Sequence, residues 1–258
     1  MRAERLGDRT VLTRVDRTAP FHLGPVSYRS GHAEVIVQQV GPGLFPGDDL
    51  VVEVDIAPGA ELTLRGQAAT KVYPCPPGAR SQQRTLLRVD AGGRLRVFPG
   101  ELIPFRDASY HQQTDVELAS GARCALAEVV GPGRSAMGER DAYRRLDLHL
   151  RLRVDGRPVL IERSRLEPAH YRLDVPGRHG ATPWVGVLIV AGYGGVDLTP
   201  PPAGDPVWWG AGRTAQGDVQ MVRLLGPTAQ GIRLAIRRLL HEIEQGGVAD
   251  RNRCRGMR

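Results

Sequence analysis

The sequence predicts a mainly β protein: an elongated, layered β-sheet scaffold with one or two α-helices, the C-terminal one near residues 228–245. Three observations predict this class. Glycine (32) and proline (20) are abundant in a chain of 258 residues and punctuate short apolar runs, the pattern of many strands joined by turns. A strand–Gly turn–strand unit recurs, in Val54-Asp55-Ile56-Ala57-Pro58-Gly59-Ala60-Glu61-Leu62-Thr63-Leu64, again from Val89 through Gly92-Gly93 to Val97, and again from Val116 through Gly121 to Leu126. Its copies start about 27 to 35 residues apart, as stacked layers sharing one elongated core require, although so irregular a period argues against a strict solenoid. Third, helical periodicity is confined to one segment near the C-terminus.

In chain order, residues 1–33 mix Arg, Asp and Gly with little periodicity and are expected to give one or two edge strands. Residues 34–40 are a β-branched run read as a strand, stopped by the loop Gly41-Pro42-Gly43-Leu44-Phe45-Pro46-Gly47-Asp48-Asp49. After the three repeats, residues 143–154 alternate cleanly, with Leu146, Leu148, Leu150, Leu152 and Val154 on one face and Arg145, Asp147, His149, Arg151 and Arg153 on the other. His149 is therefore expected in solvent. Asp155-Gly156 is a hairpin signal leading into residues 159–162. Residues 184–190 read as a buried strand. Residues 199–210, with Pro200, Pro201, Pro202 and Pro206, read as a stiff surface loop carrying Trp208 and Trp209, which either anchor a partner or fold back on the core. Residues 219–225 are the last strand. Ile232, Ile236, Leu239, Leu240 and Ile243 then share one helical face, with Arg233, Arg237 and Arg238 opposite and Gly246-Gly247 as the expected stop. One domain over residues 1–247 and a basic, disordered tail over 248–258 are expected.

Composition narrows the function classes. Hydrophobic content is 41%, ordinary for a globular chain. No apolar stretch near the N-terminus resembles a leader, and the longest apolar run is too short to span a bilayer, so a cytoplasmic protein without membrane contact is expected. Cys75, Cys124 and Cys254 form no Cys-x-x-Cys pair. The net charge of +7 permits an acidic partner. Nucleic-acid binding wants a basic stripe interleaved with aromatics. Here Arg alternates with acids and aromatics are 5%, which argues against it. No phosphate loop, nucleophile elbow, zincin or dinucleotide motif occurs. The seven histidines show no ligand spacing, so no tightly bound metal or cofactor and no enzymatic role are expected. His111 reads as a hydrogen-bonding loop residue.

Lys71, in Gly66-Gln67-Ala68-Ala69-Thr70-Lys71-Val72-Tyr73, is the single lysine in a chain counting 35 Lys and Arg. A slim point charge in so Arg-biased a chain marks a place where a planar fork does not serve. Asp48, Glu101, Glu128 and Glu139 all sit in or beside Gly/Pro-rich turns, and Glu101 and Glu128 have mostly apolar neighbours. A buried carboxylate needs a partner such as Lys71 or Arg134, and such a pair either fixes loops or serves function.

These residues resemble a family. Gln67-Ala68-Ala69-Thr70-Lys71-Val72-Tyr73 is similar to the signature of the UreD (also called UreH) urease accessory proteins. Gly43-Leu44 with Gly47-Asp48, Pro99 with Ile103-Pro104-Phe105 and Tyr110, and Gly133-Arg134 with Gly138-Glu139 agree in order, as does Val222-Arg223-Leu224-Leu225 before an Arg-rich helix. The resemblance spans roughly residues 22–245. Arg65-Gly66 replaces a usual Thr pair, and Pro46 a usual Gly, which changes loop stiffness.

The resemblance implies a non-catalytic scaffold that binds a UreF-type partner and the urease apoprotein and, with a UreG-type GTPase, takes part in nickel insertion. The expected role is nickel delivery through an internal polar passage lined by Asp48, Glu101, Glu128 and Glu139. Lys71 would orient one carboxylate, nickel would contact the chain only transiently, and Gln67, Thr70 and Tyr73 would be motif residues. The alternative is a purely interaction-based chaperone of apo-urease with no metal contact, working through Trp208, Trp209, Arg233 and Arg237.

Overall fold

The structure, a computed structural model, describes residues 1–175, 178–194, 207–215 and 219–255, with side chains to residue 244. In chain order the strands are β1 (Arg2–Leu6), β2 (Arg9–Arg14), β3 (Phe21–Leu23), β4 (Ser27–Arg29), β5 (His32–Gln39), β6 (Asp49–Ile56), β7 (Glu61–Gly66), β8 (Thr70–Val72) and β9 (Ser81–Val89). They continue as β10 (Arg94–Phe98), β11 (Glu101–Pro104), β12 (Ser109–Leu118), β13 (Arg123–Val130), β14 (Arg145–Val154), β15 (Arg157–Leu166), β16 (Trp184–Ala191), β17 (Trp208–Arg213) and β18 (Val219–Gly226). Helix α1 (Ala229–Arg255) closes the described chain, and a single 3-10 turn lies at Ser135–Met137.

Each repeated unit crosses between two sheets. One sheet has the order β15-β14-β12-β9-β6-β1-β2, and the other runs β17-β18-β16-β13-β10-β7-β5-β3. The turns after β6, β9 and β12 place Gly59, Gly92 and Gly121 at positive φ, which costs glycine nothing. Each turn throws the chain from the first sheet to the second. Consecutive passes then pair in parallel, with Val54 opposite Leu87, Leu87 opposite Val116 and Val116 opposite Leu152.

The irregular period, which argued against a strict solenoid, does not break this coil. Parallel register is unshifted from β6 through β9 and β12 to β14, because the extra residues sit in return connections outside these ladders. Parallel sheets are normally covered on both faces. Here the first sheet's outer face is charged, and directly opposed residues pair across strands: Arg88–Asp55 (2.9 Å), Arg151–Asp115 (2.7 Å) and Arg153–Glu117 (2.6 Å). Such cross-strand pairs support the register.

The main core lies between the sheets and stacks Val54, Leu87, Val116 and Leu152 with Leu62, Leu95 and Cys124 from the facing sheet. A second cluster lies outside the second sheet, where Ala127, Leu188, Val222 and Leu224 receive Ile232, Ile236, Leu239 and Ile243 of α1. The expected helical face is thus the packed one.

Several expectations are corrected. The N-terminal segment makes four strands, not one or two. Gly246-Gly247 does not stop the helix, which is described to Arg255. Glycine in a helix interior costs about 1 kcal/mol against Ala and does not forbid the turn. Residues 208–213 are an edge strand, β17, instead of loop, and alternation splits the two tryptophans: Trp208 is 74% exposed while Trp209 packs on the α1 cluster. The prolines at 200–206 lie outside the described residues. The Asp155-Gly156 turn is as expected, with both residues at positive φ between antiparallel β14 and β15. No helix among the described residues is long and apolar enough to cross a membrane.

Leu87 is fully buried at the middle of the stacked row. Leu87→Ala is expected to lower the unfolding free energy by about 2–5 kcal/mol, read from the midpoint of a urea titration at unchanged slope. A loss below about 1 kcal/mol would contradict this packing.

Candidate functional site

The inner face of the first sheet is apolar at one end and polar toward the other. On β9, Gln83 and Thr85 point inward on the same face as Leu87. On β12, Gln112 and Thr114 lie directly opposite them. Stacking therefore makes two polar rows from two consecutive coils. Glu128, on β13 of the facing sheet, points in at the same level, since Cys124, Leu126, Glu128 and Val130 share one face.

Glu128 terminates a hydrogen-bonded chain. The Tyr110 hydroxyl donates to Gln112 Oε1 at 3.3 Å, and Gln112 Nε2 donates to Glu128 Oε1 at 2.5 Å. Burial pushes the Glu128 carboxyl up to about 7, the hydrogen bonds from Gln112 and Thr114 oppose this, and the like charge of Glu162 adds to it. A cavity keeps part of Glu128 accessible, but protein encloses it. Burial also holds the Tyr110 phenol protonated far above its ordinary range.

Three voids adjoin this group. An interior cavity of about 70 Å³ is lined by Gln83, Thr85, Gln112, Thr114, Glu128 and also Glu101. A neighbouring cavity of about 170 Å³ shares Thr70, Gln83 and Thr85 with it and reaches Gln67 and Lys71. A cleft of about 760 Å³ lies beneath α1 and shares Glu101 with the first cavity. Glu101 is buried and accepts a hydrogen bond from Arg233 of α1.

The sequence-predicted residues therefore separate into two groups. Glu101 and Glu128 line one cavity. Asp48 and Glu139 line none of these three voids. The Asp48 carboxylate accepts from its own loop, from Phe45 N at 2.7 Å. Glu139 takes Arg134 Nε at 2.8 Å and Nη2 at 2.5 Å, plus the Arg106 backbone N–H at 3.2 Å, and the Arg134 guanidinium holds its carboxyl below the usual range.

The motif loops do converge, but around rings. Phe45 stacks on Tyr73 at 4.6 Å, Tyr73 meets Phe105 at 4.9 Å, and Arg134 lies over Phe105 at 4.2 Å. Lys71 is exposed, and among the described residues no carboxylate lies within ion-pair reach of it, so it orients none of the four. His111 is on β12, not in a loop. His149 is half-buried, not free in solvent, with its ring 5.1 Å from that of His111. Among the described residues no group of three or more His, Cys, Asp or Glu is arranged to hold a metal ion.

Gln83, Thr85, Gln112 and Thr114 were not singled out from the sequence. The available signal was Gln83 and Gln112, each two residues ahead of a threonine in successive repeats, at positions that alternation assigns to the inner face.

Glu128 titrates higher folded than in the unfolded chain. The folded state keeps a proton that the unfolded state releases, so this contribution to stability is present below about pH 4.5 and lost as pH rises through about 7. Glu128→Gln retains the acceptor for Gln112 and cannot ionise. Relative to the parent, it is expected to gain roughly 2–3 kcal/mol of stability between pH 4.5 and pH 8, measured as paired urea titrations. A pH-independent difference would contradict the enclosed carboxylate.

The chain matches the family described as UreD urease accessory protein over residues 1–255. It is 37% identical over 188 residues to a protein of Sorangium cellulosum named Urease accessory protein UreD, covering 73% of this chain and 59% of that one. A protein of the same name from Opitutus terrae is 37% identical over 163 residues, covering 62% of this chain and 60% of that one. One from Streptomyces griseus, named Urease accessory protein UreD 2, is 36% identical over 170 residues, covering 65% and 53%. In each case the match spans less than two thirds of the relative's own length.

Proposed function

The chain belongs to the UreD urease accessory protein family, and from that premise we propose that it is a non-catalytic scaffold that passes nickel toward apo-urease through its interior. In this reading it binds a UreF-type partner and the urease apoprotein, and meets a UreG-type GTPase within the same assembly in the cytoplasm. The observation that carries the reading is the pair of adjoining cavities, mostly apolar in lining but each bearing amide and hydroxyl side chains, that runs from Gln67 and Lys71 to Glu101 and Glu128.

Their chemistry suits a cargo ion. Nickel accepts water, carboxylate and amide oxygen ligands. Conduction requires contacts that capture an ion and release it, and the Glu128 carboxylate among amides and hydroxyls, with Glu101 engaged by Arg233, meets that requirement. Because Glu128 titrates near neutrality, it can exchange a proton for a cation at little cost. Asp48 and Glu139 are not part of this route; they hold the loops that frame it.

One observation favours the alternative, an interaction-based chaperone of apo-urease without metal contact. Trp208 stands exposed on edge strand β17, and an exposed tryptophan is a strong anchor. Co-expression with urease and its other accessory proteins separates the two readings. With Glu128→Gln, nickel per urease active site is expected to fall roughly 10-fold by elemental analysis while co-purification of partners is unchanged. Nickel loading at the parental level, with Trp208→Ala abolishing co-purification, would replace the passage with the chaperone.

A further inference from the structure

The cleft beneath α1 meets the route just described at Glu101 and at Gln67. Its floor is the outer face of the second sheet, and its wall is one stripe of α1 from Arg233 to Glu244. At 1.5 Å per residue that stripe is about 16 Å long, the length of about five residues of extended chain. The lining carries five arginines and three glutamates. Arg65 pairs with Glu34 at 2.8 Å, Arg96 with Glu244 at 2.6 Å, and Arg233 with Glu101. Arg29 and Arg237 are left with no carboxylate partner among the described residues. Arg96 Nε is buried without a hydrogen-bond partner.

The trough is therefore built with excess guanidinium along its length. A single small anion would engage one end of it, whereas a run of carboxylates spaced along an extended chain matches both its length and its charge. We propose that this trough docks an acidic polypeptide segment of a partner protein, and that the segment's carboxylates draw Arg233 away from Glu101. Glu101 then faces the interior cavity uncompensated and takes up a cation there. The docking step stands on the trough alone, while the coupling to Glu101 rests on the passage reading above.

The test uses the full chain and a fluorescein-labelled peptide of six glutamates. Fluorescence anisotropy is expected to show saturable binding that weakens with salt, with a six-serine peptide inert. Arg29→Glu and Arg237→Glu, both at exposed positions outside the packed face of α1, are each expected to weaken the glutamate peptide about 10-fold or more. Circular dichroism confirms that both variants fold. Equal affinity in both variants overturns the docking. Displacement of the peptide by equimolar inorganic phosphate also overturns it, in favour of a small-anion site.

The coupling is read by equilibrium dialysis. Nickel retained by the parent is expected to rise when the peptide is saturating, and not to rise in Glu101→Gln. No rise in the parent overturns the coupling. Because docking is read without metal, and the passage is read with Glu128→Gln in the urease assay, each can fail separately.

Discussion

Parallel, in-register stacking is the constraint from which the rest of this structure follows. Because each residue lies over its equivalent in the next coil, whatever character one coil places at a position is extended by the next. Apolar character at Val54, Leu87, Val116 and Leu152 gives a sealed row. Polar character at Gln83 and Gln112, and at Thr85 and Thr114, gives a line of amides and hydroxyls through the same interior. A slip of one residue in β9 would exchange Leu87 for Arg88 and turn the whole face over. The Arg88–Asp55 pair and the apolar row thus enforce one register from opposite sides of the sheet.

Polar side chains in such an interior are costly unless bonded. The chain from Tyr110 through Gln112 to Glu128 satisfies part of the demand. Glu128 is the member whose charged form is only partly compensated, since burial and Glu162 oppose ionisation while hydrogen bonds from Gln112 and Thr114 favour it. The stacking that seals the hydrophobic rows therefore also produces a carboxyl balanced between two protonation states. Perturbed groups of this kind gather where proteins bind and exchange ions.

Much of the fold was readable because it depends on local pattern. The alternation from Arg145 to Val154, the Asp155-Gly156 turn and the face of α1 are each written within one segment. What was not readable depends on the path of the chain in space. The spacing of the repeats gave stacked layers sharing one core, as found, but a Gly turn between two short strands looks the same whether it folds them into a hairpin or throws them into different sheets, so Gly59 and Gly92 did not show that each turn crosses between sheets. The carboxylates show the same limit. Asp48 and Glu139 had neighbours within their own loops able to satisfy them, Phe45 N and Arg134. Glu101 and Glu128 had none nearby in sequence, and found Arg233 and Gln112 through the fold.

Lys71 drew notice as a charge, yet the geometry around it concerns backbone clearance. A Cβ at Gly43 would stand 2.4 Å from the Lys71 carbonyl oxygen, one at Gly66 would stand 1.9 Å from that of Pro99, and one at Gly100 would stand 2.7 Å from that of Ala68. Three motif loops thus approach to backbone contact at points where only glycine fits, and Gly43 and Gly100 also hold positive φ. Pro99, Gly100 and Ala68 are among the residues between the cleft beneath α1 and the interior cavities. Glu101, next to Gly100 in the chain, lines both the cleft and the smaller cavity. The motif therefore acts through the closeness its glycines allow, and the lysine side chain, directed outward, is left free of that task.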